Sequence, residues 1–194
     1  MIEHKINNPI IRKIISRIYY SINPKNRDFL LDLLPKNSTG VELGVFKGEF
    51  TQQILRTVKP KMLYLIDLWE YNEDIHSANF DEKPDMIKNY EHVKKRYERL
   101  KNVMIKRGYS DQELQKLAND SLDWIYVDAD HRYEGVKKDL EIAIKKVKKN
   151  GIIAGDDYIE KQGWGVVKAV NEFLETKQVE LILIKNYQIV LRLL

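Results

Sequence analysis

Acidic residues and a histidine follow two strand-like segments in the second half of the chain. The first motif is Ile-Tyr-Val-Asp-Ala-Asp-His, in which the strand-like part ends at Asp128 and His131 comes three residues later. The second is Gly-Ile-Ile-Ala-Gly-Asp-Asp-Tyr, in which Asp156 and Asp157 follow the strand-like part. Neighbouring strands would bring the three carboxylates together, where they repel one another unless a cation neutralises them. Because oxygen ligands favour hard ions such as Mg²⁺, Ca²⁺ or Mn²⁺, the pattern predicts a divalent-cation site on these aspartates.

His131 would lie beside that ion and would act as a general base. An unperturbed histidine has a pKa of about 6.5, which suits proton removal at neutral pH. A structural interpretation competes with this one: Asp130 and Asp157 would cap helices, and His131 would be a surface residue. The recurrence of acids at two neighbouring strand ends favours the cation site.

Residues at the ends of three earlier segments are suited to binding a nucleoside. Gly44 and Gly48 follow the first strand and allow a tight turn with close backbone approach to a ligand. The segment has neither the G-x-G-x-x-G fingerprint of a dinucleotide site nor the Lys-Ser/Thr pair of a P-loop. Asp67 ends the second strand, where a carboxylate can accept both hydroxyl protons of a ribose. After the third strand, Ser110 opens Ser-Asp-Gln-Glu, a capping box that predicts a short helix.

Alternating strand and helix patterns must position these residues. Strands are predicted at Thr39–Val45, Met62–Asp67, Val103–Lys106, Leu122–Asp128 and Gly151–Gly155, and a closing hairpin at Val179–Ile184 and Gln188–Leu193. Helices are predicted at Glu49–Val58, Lys88–Leu100, Glu134–Lys148 and Val166–Glu175, besides the short helix at Ser110. The pattern predicts an α/β fold with a Rossmann-like, doubly wound seven-stranded sheet, mostly parallel with an antiparallel C-terminal hairpin. Ligands bind such sheets at the carboxyl ends of the strands.

The first 37 residues differ in character, and we expect a helical arm at 1–37 and a catalytic domain at 38–194. Isoleucines recur at helical spacing among lysines and arginines, and a second short helix is predicted at Phe29–Leu34. The arm either packs on the domain or forms a dimerisation or membrane-surface helix. The chain has no cysteine, which excludes disulfides and thiolate metal sites. It has no signal peptide or spanning segment, so we expect a cytoplasmic protein. The net charge of +4 is spread over helix faces, so we expect no nucleic-acid partner, and we expect no membrane partner either.

The motifs at the strand ends resemble those of class I S-adenosylmethionine-dependent methyltransferases. More narrowly, the chain is similar to the metal-dependent O-methyltransferases of the catechol, caffeoyl-CoA and macrolide-sugar types, over residues 38–194. The motif Glu-Leu-Gly-Val-Phe-Lys-Gly is similar to the family's cofactor loop, and Val-Asp-Ala-Asp-His to its Asp-Ala-Asp-Lys. His131 replaces that lysine, as in the sugar-modifying branch. The resemblance implies that S-adenosylmethionine is bound by Glu42, Gly44, Phe46, Gly48, Asp67, Leu68, Ser110 and Asp128.

The resemblance also implies the reaction. A divalent cation, most simply Mg²⁺, on Asp128, Asp156 and Asp157 would lower the pKa of an acceptor hydroxyl, and His131 would remove its proton. The acceptor would be a sugar, catechol-like or polyketide diol, and the family suggests a homodimer. Two alternatives remain open: a methyltransferase without metal, and a non-catalytic module that keeps a cofactor pocket.

Overall fold

One seven-stranded sheet forms the centre of the computed structural model, which describes residues 27–73, 83–161 and 164–194. Its strands are β1 (Thr39–Leu43), β2 (Met62–Asp67), β3 (Val103–Arg107), β4 (Leu122–Val127), β5 (Val147–Gly155), β6 (Val179–Lys185) and β7 (Gln188–Leu193). The helices are α1 (Asp28–Leu33), α2 (Glu49–Thr57), α3 (Met86–Tyr97), α4 (Ser110–Gln115), α5 (Tyr133–Lys146) and α6 (Val166–Glu175). The strand order is β3-β2-β1-β4-β5-β7-β6.

The topology confirms the predicted sheet. Strands β1 to β5 pair in parallel, whereas β7 pairs antiparallel with both β5 and β6. The chain reverses its direction of travel across the sheet between β1 and β4, which are neighbours although β2 and β3 lie between them in sequence. Ligands of doubly wound sheets bind at such a switch point.

Apolar side chains cover both faces of the sheet. On one face, α1, α2 and α3 pack through buried residues such as Leu31, Ile54 and Val93. On the other face, α4, α5 and α6 pack through residues such as Leu114, Leu140 and Phe173. Because both faces are covered, β1 and β4 are almost entirely buried, which explains why apolar residues predominate in them without a strict polar alternation.

The largest difference from the prediction lies between α5 and β5. The helix was expected to continue to Lys148, but it ends at Lys146, and β5 begins at Val147, which pairs with Leu122. The Nζ atom of Lys146 donates hydrogen bonds to the carbonyl oxygens of Gln115, the last residue of α4, and of Leu117, at 3.0 and 2.7 Å. Lys148 instead reaches Asp123, with 2.6 Å between Nζ and Oδ1. Periodicity could not indicate this end, because lysines suit an exposed helix face as well as an exposed strand.

The predicted N-terminal arm lies largely outside the described residues, which begin at Arg27. The described part of that arm contains α1, close to the short helix predicted at Phe29–Leu34. Leu30, Leu31 and Leu34 are buried against the same face as α2 and α3. None of the helices within the described ranges is long and apolar enough to cross a membrane.

Candidate active site

A pocket of about 890 Å³ opens where β1, β2 and β4 end. This volume is in the range of small-molecule sites. Of the residues predicted to bind or react, nine line the pocket: Glu42, Gly44, Phe46, Asp67, Leu68, Ser110, Asp128, His131 and Asp157. The strand register explains why they converge. Leu43 is paired with both Ile66 and Val127, so the next residue of each strand lies at the same edge of the sheet.

Two predicted residues, Gly48 and Asp156, do not line that pocket. Gly48 precedes α2 in the left-handed region, with φ of 73°, and its carbonyl accepts a hydrogen bond from the hydroxyl of Tyr97 at 2.7 Å. It therefore supports the turn into α2. Asp156 is 5% exposed, and its carboxylate pairs with Arg27.

Gly44 is required by the close approach of two strand ends. Its φ is +84°, and a Cβ atom added there would lie 1.9 Å from the carbonyl oxygen of Asp128. Any larger residue would therefore force the loop after β1 away from the end of β4. The backbone at the end of β4 therefore requires a glycine at this turn, and the contact of Gly44 with a ligand stays a prediction.

Asp67 organises the loop that follows β1. One carboxylate oxygen accepts hydrogen bonds from the backbone N–H groups of Val45 and Phe46, both at 2.8 Å, and the other accepts from Trp69 N–H at 2.7 Å. A carboxylate offers about four acceptor positions. Asp67 thus ties the loop after β1 to β2, and its contact with a ribose stays a prediction.

Glu42 is a buried acid on the pocket wall. It is 1% exposed, and Thr51 donates a hydrogen bond from Oγ1 to its Oε2 at 2.6 Å. Burial raises its pKa to about 8, although Thr51 and the positive charge of Arg27 act in the opposite direction. The side chain is therefore mostly protonated at neutral pH.

The capping box predicted at Ser110 is wrong. Ser110 is the first residue of α4 rather than its cap, and Tyr109 takes the cap position. The hydroxyl of Ser110 donates to both carboxylate oxygens of Asp139, at 2.8 and 3.0 Å. Burial, together with Asp111 and Asp130, raises the pKa of Asp139 to about 7. The hydroxyl is drawn toward this acid on α5, which a pattern local to α4 cannot show.

Asp128, His131 and Asp157 form the polar centre of the site. His131 Nε2 lies 3.0 Å from Asp157 Oδ2 and 3.6 Å from Asp128 Oδ1. Burial alone would lower the pKa of His131, but its contacts with the two aspartates raise it to about 9. His131 is also not a surface residue, because its side chain is 13% exposed. The indole of Trp164 stacks on its ring, with centroids 4.5 Å apart.

Asp156 belongs to a buried network that Arg27 connects to Asp128. One oxygen accepts hydrogen bonds from the side chain of Gln188 and from the backbone N–H of Asp157, and the other pairs with Arg27. Gln188 in turn accepts from the hydroxyl of Tyr126 at 2.7 Å. The convergence of three aspartates at one ion is thus not what the structure shows, although the strand ends are adjacent as predicted. The role of Asp156 as a ligand stays a prediction.

Arg27 is the residue of the site that sequence reasoning missed. Its Nη2 atom donates to Asp156 and, at 3.3 Å, to Asp128, and its guanidinium lies over the ring of Phe50, 4.6 Å from the centroid. The side chain is almost completely buried, with 6% exposed. Arg27 therefore supplies part of the positive charge that the carboxylates require. Arg27 precedes an apolar helix by one residue, but nothing in that pattern indicates burial of the charge.

Comparisons with known proteins agree with this architecture. The model of the methyltransferase domain family matches residues 41–158, which is more than half of the chain. A search of curated proteins found no match. An S-adenosylmethionine-dependent methyltransferase from Aquifex aeolicus is 17% identical, with a TM-score of 0.56 and coverage of 87% of this chain and 88% of that one.

Two further solved structures share the fold. N-methyltransferase NodS from Bradyrhizobium japonicum, in complex with S-adenosylhomocysteine, is 14% identical, with a TM-score of 0.53 and coverage of 86% of this chain and 85% of that one. A methyltransferase structure from Galdieria sulphuraria is 12% identical, with a TM-score of 0.56 over 88% of this chain. The present chain spans 63% of the length of the Galdieria protein.

The sheet order and the pocket at its switch point define the class I fold of S-adenosylmethionine-dependent methyltransferases. The chain belongs to the methyltransferase domain family.

Proposed function

We propose that the protein transfers the methyl group of S-adenosylmethionine to a hydroxyl group of a small molecule, with a divalent cation assisting. The observation that carries the proposal is the position of His131. Its imidazole lies between Asp128 and Asp157 on the wall of the same pocket that contains Asp67 and the loop after β1. A basic group beside a nucleoside pocket is what deprotonation of an acceptor hydroxyl requires.

The residues of the pocket suit the methyl donor, which supplies an activated methyl on a sulfonium centre. Asp67 fixes the loop after β1 through three backbone N–H groups. Gly44 keeps the floor open, and Glu42 offers an oxygen near the end of β1. These residues bind and orient, which is the main contribution an enzyme makes to a transfer between two bound molecules.

The same site has donor atoms that suit a divalent cation. The ligand atoms of Asp128, His131 and Asp157 all lie within 4.8 Å of one another. We assign the cation to the two carboxylates, where it would supply Lewis acidity toward the acceptor hydroxyl. Asp156 would become a third ligand only if it broke its hydrogen bonds with Arg27 and Gln188.

His131 can act as a base only if its pKa falls. With a pKa of about 9 it carries a proton at neutral pH, because Asp128 and Asp157 stabilise the imidazolium. Neutralising the two carboxylates removes that stabilisation and frees the imidazole to accept the acceptor's proton. Cation binding and the base strength of His131 are therefore coupled in this proposal. The stacked indole of Trp164 restricts the orientation of the imidazole ring.

A methyltransferase that needs no metal is the second candidate, and Arg27 favours it. Its guanidinium already bridges Asp128 and Asp156, so one of the positive charges that the strand ends require is present in the chain. In that case His131 would remain an imidazolium at neutral pH and would stabilise charge rather than remove a proton.

Transfer of a radiolabelled methyl group to a panel of sugars, catechols and polyketide diols tests the proposal. EDTA-treated protein should be inactive near neutral pH, and Mg²⁺ or Mn²⁺ should restore product. His131→Gln should abolish the restored activity, whereas His92→Gln, which changes an exposed histidine of α3, should not. Equal rates with and without cation would favour the metal-independent candidate. Methylation of amines alone across a matched panel would contradict the hydroxyl acceptor.

A further inference from the structure

Arg27 is a buried arginine, and only part of its guanidinium hydrogen-bonds to other described residues. The hydrogen bonds it makes with described residues come from Nη2, which donates to Asp128 and Asp156. Nε is buried and has no partner among the described residues. An arginine offers five N–H donors in a fixed fork, and buried donors without acceptors are costly.

The unused part of the fork borders the pocket. Arg27 lines the pocket together with Glu42, Gly44 and Phe50. Because Nε is buried and Nη2 donates to the two aspartates, Nη1 is by elimination the donor left for a molecule in the pocket. The guanidinium packs against the adjacent rings of Phe50 and Tyr126, at 4.6 and 5.3 Å from their centroids. It therefore presents a preorganised positive charge at this end of the pocket.

We propose that Arg27 binds the carboxylate of the methionine moiety of the methyl donor. This end of the donor is a zwitterion, with a carboxylate and an ammonium on one carbon. The pocket wall has a matching pair of groups, because Arg27 and the carboxyl group of Glu42, whose oxygens can accept from an ammonium, line the same pocket. Phe50 belongs to α2, the helix that follows the loop after β1. Because the guanidinium lies over Phe50, Arg27 is at the end of the pocket nearest that loop. Charge-assisted hydrogen bonds to carboxylates are the contacts that arginine favours.

The inference rests on the proposed function, because it presupposes that the pocket holds the donor. Two ligands separate the two claims. S-adenosylhomocysteine contains the amino-acid end, whereas 5′-methylthioadenosine keeps the adenosine and the sulfur but lacks the carboxylate and ammonium. If neither ligand binds the wild type, the donor assignment fails. If both bind and Arg27 has no influence on their ratio, only the Arg27 inference fails.

Calorimetric titration of both ligands into wild type and Arg27→Lys is the test. Lysine keeps the charge that Asp128 and Asp156 need but cannot present the same fork. We expect affinity for S-adenosylhomocysteine to fall about tenfold or more, and affinity for 5′-methylthioadenosine to stay within about threefold. Arg27 and Asp156 form a buried ion pair, so a change to one member alone can disturb folding. The double variant Arg27→Gln/Asp156→Asn removes both charges and should show the same selective loss of affinity for S-adenosylhomocysteine.

Arg56→Gln is the matched control. It removes a positive charge from an exposed arginine of α2 that does not line the pocket. The ratio of the two affinities should be that of the wild type in Arg56→Gln. An unchanged ratio in both Arg27 variants would overturn the inference and would leave the carboxylate of an acidic acceptor as the partner to look for. An equal loss of both ligands would overturn it as well, because it would mean that Arg27 only shapes the site.

Discussion

Replacing Glu42 by glutamine should make the protein more stable at high pH, because the glutamate is buried where its charged form is disfavoured. Glu42 is 1% exposed, and burial raises its pKa from the ordinary 4.5 to about 8. Glutamine has nearly the same shape and can still accept the hydrogen bond from Thr51. The substitution therefore removes the ionisation while it preserves the local contacts.

The size of the effect follows from linkage between ionisation and folding. The folded-state pKa lies above the unfolded value, so the contribution of Glu42 to stability is intact below about pH 4.5 and is lost as the pH rises through about 8. A tenfold change in ionisation is worth about 1.4 kcal/mol, so the upper limit of the loss is about 5 kcal/mol. Structural relaxation reduces such losses, and we expect a difference of at least about 2 kcal/mol.

Urea unfolding at about pH 5 and about pH 9 measures this difference directly. The free energies of unfolding of wild type and Glu42→Gln should be similar at the lower pH, and the variant should be the more stable one at the higher pH. Glu49→Gln, which changes an exposed acid on α2 beside the same pocket, should show no such divergence. A gap between Glu42→Gln and wild type that does not change with pH would refute the reasoning, since it would mean that Glu42 ionises as an exposed acid does.

Three other substitutions should separate binding from stability. Gly44→Ala should abolish S-adenosylhomocysteine binding and cost about 3 kcal/mol of stability, because its Cβ would lie 1.9 Å from the carbonyl oxygen of Asp128 at a φ of +84°. Gly108→Ala is the calorimetric control, since its Cβ would meet only a flexible side chain at 3.1 Å. Asp67→Asn should lower the same affinity at least about tenfold, because an amide has a single acceptor oxygen and cannot keep both the two loop N–H bonds and the bond from Trp69. Lys146→Met should lower the free energy of unfolding by about 2 kcal/mol in urea and leave ligand affinity unchanged, because its Nζ donates three hydrogen bonds far from the pocket.

Strand ends could be predicted because they depend on local patterns and on one topological rule. Apolar runs and their following glycine or aspartate indicated β1, β2, β4 and β5, and parallel strands bring such ends to one edge. The pairing of Leu43 with both Ile66 and Val127 places Gly44, Asp67 and Asp128 as expected. The pocket that nine predicted residues line follows from this register.

Side-chain direction could not be predicted in the same way. Asp156 and Asp157 are adjacent in sequence, yet one pairs with Arg27 and the other lies against His131. Which of two successive acids faces the pocket depends on long-range partners, here Gln188 from the C-terminal hairpin. Arg27 could not be found from its own segment for the same reason.

Calorimetric titration of S-adenosylhomocysteine into the EDTA-treated full chain tests the central claim most directly. The account predicts binding of one molecule per chain, lost in Gly44→Ala and retained in Gly108→Ala, without any requirement for a divalent cation. Absence of a binding heat for the wild type, across the pH range in which the protein is folded, would contradict the assignment of the pocket to the methyl donor. The roles given to Asp67, His131 and Arg27 would then fail with it.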